Sequence, residues 1–154
     1  MEQEQTRVQA AIHDHIDRYP GLKQDQDLLR SIPAVGDKTA QRLLAVLHSH
    51  DFTSADPVTA FLGLVPVECP SGSSLHRRPC RSKAGAPRVR AALYMAAVVA
   101  TRHNSHIRML YQRLLVRGKA KMAALGAAMR KLVQLAFGVL KHQQPYHSEW
   151  GPAH

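Results

Sequence analysis

From Pro87 to His142 the apolar residues recur at helical spacing, and this periodicity constrains the fold more than any other feature. Pro87 to His103 places Val89, Leu93, Ala96, Ala97 and Ala100 on one face, and so many alanines let a neighbouring helix approach closely. Ser105 to Arg117 offers Ile107, Leu110, Tyr111 and Leu114 for burial, with Gly118 as a natural stop. Lys119 to His142 carries Met122, Leu125, Met129, Leu132, Val133 and Leu140, the methionines serving as core filler. A three-helix cluster is the expected result. Upstream, Val8, Ile12 and Ile16 predict a helix over residues 3–18, stopped by Pro20-Gly21. A short helix ends before Pro33, and a tight turn at Ala34-Val35-Gly36 follows. The next helix is expected to be N-capped by Asp37 and to bury Ala40, Leu43, Leu44 and Leu47. Asp56-Pro57 predicts a cap and first turn for another short helix. Val65 to Ser82 contains Pro66, Pro70 and Pro79, which fits a structured loop or poor hairpin and excludes a central strand.

Charge narrows the function. Residues 1–30 hold six acids against four bases, whereas Cys69 to Ser148 hold fifteen Lys and Arg and no Asp or Glu. A merely solvated surface mixes signs, so one sign sustained this long points to a polyanion. Aromatics are only 5% of the 154 residues, so base stacking on single strands is not the obvious mode. Backbone contact with duplex DNA or folded RNA fits better. No run approaches the ~20 apolar residues of a membrane span, and no signal-peptide pattern opens the chain. Cys69 and Cys80 lack metal-ligand spacing and read as reduced thiols of a cytoplasmic protein. His103 and His106 have no acidic or cysteine partner nearby, so no metal is assigned to this chain.

The chemistry concentrates in Ser71-Gly72-Ser73-Ser74-Leu75-His76-Arg77-Arg78-Pro79-Cys80-Arg81-Ser82-Lys83, followed by Arg88 and Arg90. A Ser-Gly turn exposes a hydroxyl, and glycine allows a substrate to come close. Guanidinium groups around it would bind phosphate and balance charge growing on phosphorus under attack. One reading is therefore a serine nucleophile acting on a phosphodiester; the other is a solvated Ser/Gly loop beside nucleic-acid-binding cations. The turn at Ala34-Val35-Gly36 resembles the helix-hairpin-helix motif over residues 28–47, usually written Gly-Val-Gly, with Ala34 in place of the first glycine. In that motif the hairpin amides and the second helix's N-terminus meet a DNA phosphate, which would place Gly36 and Lys38 nearest to it. The alternative there is a plain helical hairpin used for packing.

Taken in order, these pieces resemble the C-terminal transposase domain of the insertion-sequence-110 (IS116/IS110/IS902-type) family. The matching segments are Ser31-Ile32-Pro33 with Val35-Gly36, Leu62-Gly63-Leu64-Val65-Pro66, Ser71-Gly72-Ser73-Ser74 and Ser82-Lys83-Ala84-Gly85. Arg88-Val89-Arg90, Leu93-Tyr94-Met95-Ala96-Ala97 and Arg102-His103-Asn104 complete the set. The resemblance implies DNA recombination under an element-encoded guide RNA. It implies a serine nucleophile at Ser71, with Ser73 and Ser74 as other registers. It also implies Mg²⁺ held by an acidic ribonuclease-H-like domain, which is expected to be missing from this chain, whose later carboxylates are scattered singly. Arg77 stands where relatives often carry glycine, and Arg81 where an aliphatic residue precedes Ser-Lys.

The expected fold is all-α: a helix-hairpin-helix unit and a three-helix cluster joined by a Ser/Arg-rich active-site loop. Residues 1–22 are expected to form the end of a linker helix, 23–142 the transposase domain and 143–154 a loose tail that Tyr146 and Trp150 could pin. Expected DNA contacts are Gly36, Lys38, Arg77, Arg78, Arg81, Lys83, Arg88 and Arg90. Expected partners are DNA, a guide RNA, and further copies or a full-length transposase, with no membrane. The competing function is a non-catalytic nucleic-acid-binding module or a decayed remnant.

Overall fold

Proline and glycine placement sets where the helices begin and end. The computed structural model describes residues 1–64, the backbone of 66–67 and 80–81, and residues 87–149. Among them are seven helices: α1 Glu2–Arg18, α2 Pro20–Arg30, α3 Asp37–Ser49, α4 Ala55–Phe61, α5 Pro87–His103, α6 Ser105–Val116 and α7 Lys121–His142. The fold is all-α. The only pairing of strands among the described residues is antiparallel, β1 Pro66–Val67 against β2 Cys80–Arg81.

Pro20 does not merely stop α1; it opens α2. Tyr19 before it is extended (φ −115°, ψ 104°), as a residue preceding proline prefers, and proline's fixed φ suits a first helical position. Two expected caps sit one or two residues earlier than the sequence indicated. Gly36 caps α3 and Asp37 is its first residue; Ser54 caps α4, leaving Asp56 in the first turn. Asp37 instead turns to Arg30, whose Nε lies 2.8 Å from its carboxylate.

The core runs through both halves of the chain. Leu29, Ile32, Leu43, Leu62, Leu93, Ile107 and Leu132 are among its fully buried side chains, each contributing about 1.5–3 kcal/mol. All five residues of the α5 stripe are buried. α7 is the central helix, packing against α2, α4, α5 and α6. It is long and apolar enough to cross a membrane by length and composition, but its inner face is spent on this core.

Three stripes differ in part from expectation. Ile16 is buried in α1, yet Val8 and Ile12 are 52% and 40% exposed. In α6 only Ile107 is buried; Leu110, Tyr111 and Leu114 are half-buried. Each helix packs on neighbours along one side only, so apolar residues beyond that contact stay at the surface. In α7 the expected Met129, Leu132 and Val133 are buried, joined by Ala124, Ala128, Leu135, Ala136 and Val139, while Met122 is exposed. The three alanines allow a close approach beside the larger side chains.

Candidate nucleic-acid interface

The turn between α2 and α3 is anchored by its apolar residues. Ile32 and Val35 are buried, and the Val35 N–H donates to the Ile32 carbonyl at 3.0 Å. Between them Ala34 takes φ 83°, a left-handed conformation that costs a residue with a Cβ about 1 kcal/mol. Gly36, by contrast, is extended (φ −93°, ψ −175°), exposed, and a Cβ placed on it meets nothing within 4 Å. Within the chain itself, then, the conformation asks for glycine where alanine stands, and tolerates alanine where glycine stands. Gly36 brings no side chain to cap α3, and among the described residues no side-chain cap reaches its first amides.

Lys38 is exposed on the first turn of α3. Arg42, exposed four residues on, shares its face, about 5–6 Å away at the Cβ atoms. The Arg42 guanidinium donates from Nη1 to the Arg88 carbonyl at 3.2 Å. It therefore connects the Lys38 face to the first turn of α5, where Arg88 is exposed and Arg90 half-buried. Arg42 is not among the contacts expected from sequence; its i+4 spacing puts it beside Lys38, but only the fold brings it to α5.

At its far end α5 meets the turn again. Asn104, fully buried, is the single residue between α5 and α6. Its Oδ1 caps α6 by accepting from the His106 and Ile107 amides at 3.1 and 3.3 Å, and its Nδ2 donates to the Pro33 carbonyl at 3.4 Å. The Tyr146 hydroxyl donates to the same Oδ1 at 3.2 Å and pairs with Nδ1 of His106. The Tyr146 amide donates to Ser31 Oγ at 2.8 Å. One buried amide thus fixes the turn, the α5–α6 corner and the segment after α7. Burial pushes the Tyr146 phenol above its usual range, a hydrogen bond with Ser105 opposing the shift.

Ser71, Ser73, Ser74, Arg77, Arg78 and Lys83 lie outside the described residues, and of Arg81 only the strand backbone is described. What is described is that Val67 pairs with Cys80, so the two ends of the intervening stretch are brought together. Among the described residues no group of three or more His, Cys, Asp and Glu is arranged to hold a metal ion. Among the described residues the donor set does not fit a Mg²⁺ site.

A family model described as "Transposase IS116/IS110/IS902 family" matches residues 26–112, more than half the chain. The chain is 31% identical over 144 residues to the pilin gene-inverting protein of Moraxella lacunata, covering 92% of this chain and 44% of that protein. The pilin gene-inverting protein of Moraxella bovis aligns with the same identity and coverage. The 43.6 kDa protein of insertion element IS110 from Streptomyces coelicolor is 28% identical over 122 residues, covering 79% of this chain and 30% of that protein. The chain thus spans less than half the length of these curated relatives.

Proposed function

Because the chain belongs to the IS116/IS110/IS902 transposase family, we propose that it holds DNA for strand exchange and supplies Ser71 as the attacking nucleophile. The support is the contact of Arg42 with the Arg88 carbonyl. It makes one cationic track from the α3 N-terminus, through Lys38 and Arg42, to the start of α5. The Ser71 stretch precedes that helix in sequence, Lys83 standing four residues before Pro87. At the turn, the first α3 amides and Gly36 would meet a phosphate in the manner of a helix-hairpin-helix motif.

In the reaction the Ser71 hydroxyl oxygen bonds to phosphorus and the bond from phosphorus to the leaving strand's oxygen breaks. That oxygen takes up a proton, and the phosphoserine link keeps the bond energy for rejoining. Arg77, Arg78, Arg81 and Lys83 are assigned to balancing charge on the phosphate. Removing the serine proton needs a base held in place, and His76 has no carboxylate nearby in sequence to orient it. The site is therefore shared with a second protein segment, in a longer relative or another copy, with an element-encoded guide RNA as a further partner. The second reading, a DNA-binding module without catalysis, is favoured by the scattered placing of the described carboxylates.

The test is covalent trapping. Purified chain mixed with supercoiled plasmid and Mg²⁺ should bind it without nicking. With a full-length family member whose own nucleophilic serine is replaced, labelled DNA should stay on this chain after denaturation, and Ser71→Ala should abolish that label. A label that survives Ser71→Ala removes the nucleophile assignment. Ser71-dependent nicking by the chain alone removes the shared site.

A further inference from the structure

We infer that the turn between α6 and α7 is a second phosphate-contact surface, gripping the backbone of duplex DNA through Arg113, Arg117, Lys119 and Lys121. This rests on the reading that the chain binds DNA, and it assigns residues that neither the hairpin nor the Ser71 stretch includes. Every residue from Val116 to Ala123 is exposed. The turn is nonetheless ordered by its own backbone. Gly118 adopts φ 86°, its N–H donates to the Leu115 carbonyl, and the Lys119 N–H donates to the Leu114 carbonyl, both at 3.0 Å. Those bonds close the end of α6 as a Schellman motif. They display Arg117, Lys119 and Lys121 on a fixed tip, with Arg113 one helical turn behind.

The position of the tip matters as much as its charge. α5 and α6 meet at Asn104, and the chain after α7 returns to Asn104 through Tyr146. The α6–α7 turn is therefore at the opposite end of the bundle, about 18 Å along the 12-residue α6. Arg88, at the start of the 17-residue α5, likewise stands a helix length away from Asn104.

Charge and composition select the partner. No Asp or Glu occurs between Cys69 and Ser148, so no neighbour in sequence offsets these cations. Across the α6–α7 contact, burial and then the nearby charge of Arg113 lower the affinity of Lys131 for its proton. An anion arriving there relieves that repulsion. No aromatic residue lies between Tyr111 and Phe137, so bases have nothing to stack on and the backbone is what the tip can hold.

Binding of a 30-base-pair DNA duplex to the full chain, measured against salt, tests this. The triple variant Arg117→Gln, Lys119→Gln, Lys121→Gln should lose at least about tenfold in affinity at 0.1 M salt. Its log–log salt slope should be shallower by about 2–3, one unit per lost phosphate contact. Its circular dichroism should be unchanged, since the three side chains are exposed. The charge-conserving variant Arg117→Lys, Lys119→Arg, Lys121→Arg should keep the original slope. If the unaltered chain binds duplex and the Gln variant has the same slope, the tip assignment is overturned while the hairpin track stands. If the unaltered chain binds no duplex at low salt, the DNA reading itself is overturned. Displacement of the duplex by polyglutamate at equal charge concentration, lost in the Gln variant, overturns the choice of partner.

Discussion

The two halves of the molecule handle charge in opposite ways. In α1 to α3, basic side chains meet carboxylates of the same chain: Lys23 with Asp17, and Arg30 with Asp27 and Asp37, while the His48 ring hydrogen-bonds Asp25. These are exposed or half-exposed pairs worth under about 1 kcal/mol each. From α5 to α7 the sequence supplies no carboxylate, and its Lys and Arg carry the excess that makes the chain +10. The difference teaches where a polyanion meets cations that no carboxylate of the same stretch offsets. It also singles out Asp37: the acid on the first turn of α3 sits beside the amides that a phosphate would use, so Arg30 must hold it aside.

Asn104 is where the halves are pinned together, and breaking it should have the largest effect. Asn104→Ala removes an N-cap, the acceptor for Tyr146 and the donor to the Pro33 carbonyl. We expect a loss of about 2–3 kcal/mol, a cap contributing about 1 and the stranded partners the rest. For a chain of 154 residues that lowers the melting temperature by roughly 5–10 °C. Calorimetry reads this directly, and hydrogen exchange should show the α2–α3 turn opening before α5 and α7. Unchanged melting would mean that the halves are joined by apolar contact alone.

The same residue shows how far the sequence could be read. The α5 stripe was fully legible, because Val89, Leu93, Ala96, Ala97 and Ala100 all face one core and period alone defines that face. The stop at Gly118 was legible for a local reason, a backbone conformation that favours glycine. The role of Asn104 was not, since its Pro33 and Tyr146 partners lie 71 and 42 residues away. Burial of α6 was overestimated, because an apolar count does not reveal that this helix lacks a neighbour on its outer side. Of the candidate site, Gly36, Lys38, Arg88 and Arg90 are placed on one end or the other of the α3–α5 contact. The link between them, Arg42, donates to a backbone carbonyl 46 residues away, which no local pattern encodes.

The turn itself offers a sharper comparison of two adjacent positions. Ala34→Gly relieves a left-handed alanine but loosens the unfolded chain, and the first effect should win by about 0.5–1 kcal/mol. Urea denaturation should show the midpoint rising with the slope unchanged. Gly36→Ala should leave stability within about 0.5 kcal/mol, since its backbone is ordinary and its surroundings open. On the proposed reading it weakens duplex DNA binding several-fold, because a methyl group would hold a phosphate off the α3 amides. Equal DNA binding by Gly36→Ala would return the hairpin to a packing role and leave the α5–α7 half as the DNA surface.

The smallest effect separates the seam between the halves from the interior of the second half by titration. Tyr146, tied to the turn through Ser31, has its phenol pushed above the usual 10.0 by burial. Between the unfolded and folded values the unfolded chain loses this proton first. The Tyr146 contribution is therefore whole below about pH 10 and is lost as pH rises through the folded value. Lys131, within α7, has its value lowered from 10.5 by burial and then by Arg113. There the unfolded chain keeps a proton that the folded chain has released. Stability consequently rises with pH between the lowered value and about 10.5. Melting temperatures followed from pH 8 to 11 should show these opposed slopes, and each variant should expose one of them. Tyr146→Phe should remove the alkaline fall and leave the rise. Lys131→Gln should remove the rise and leave the fall. If both variants kept the parent profile, neither group would be coupled to folding, and the contrast between the halves would rest on fixed charge alone.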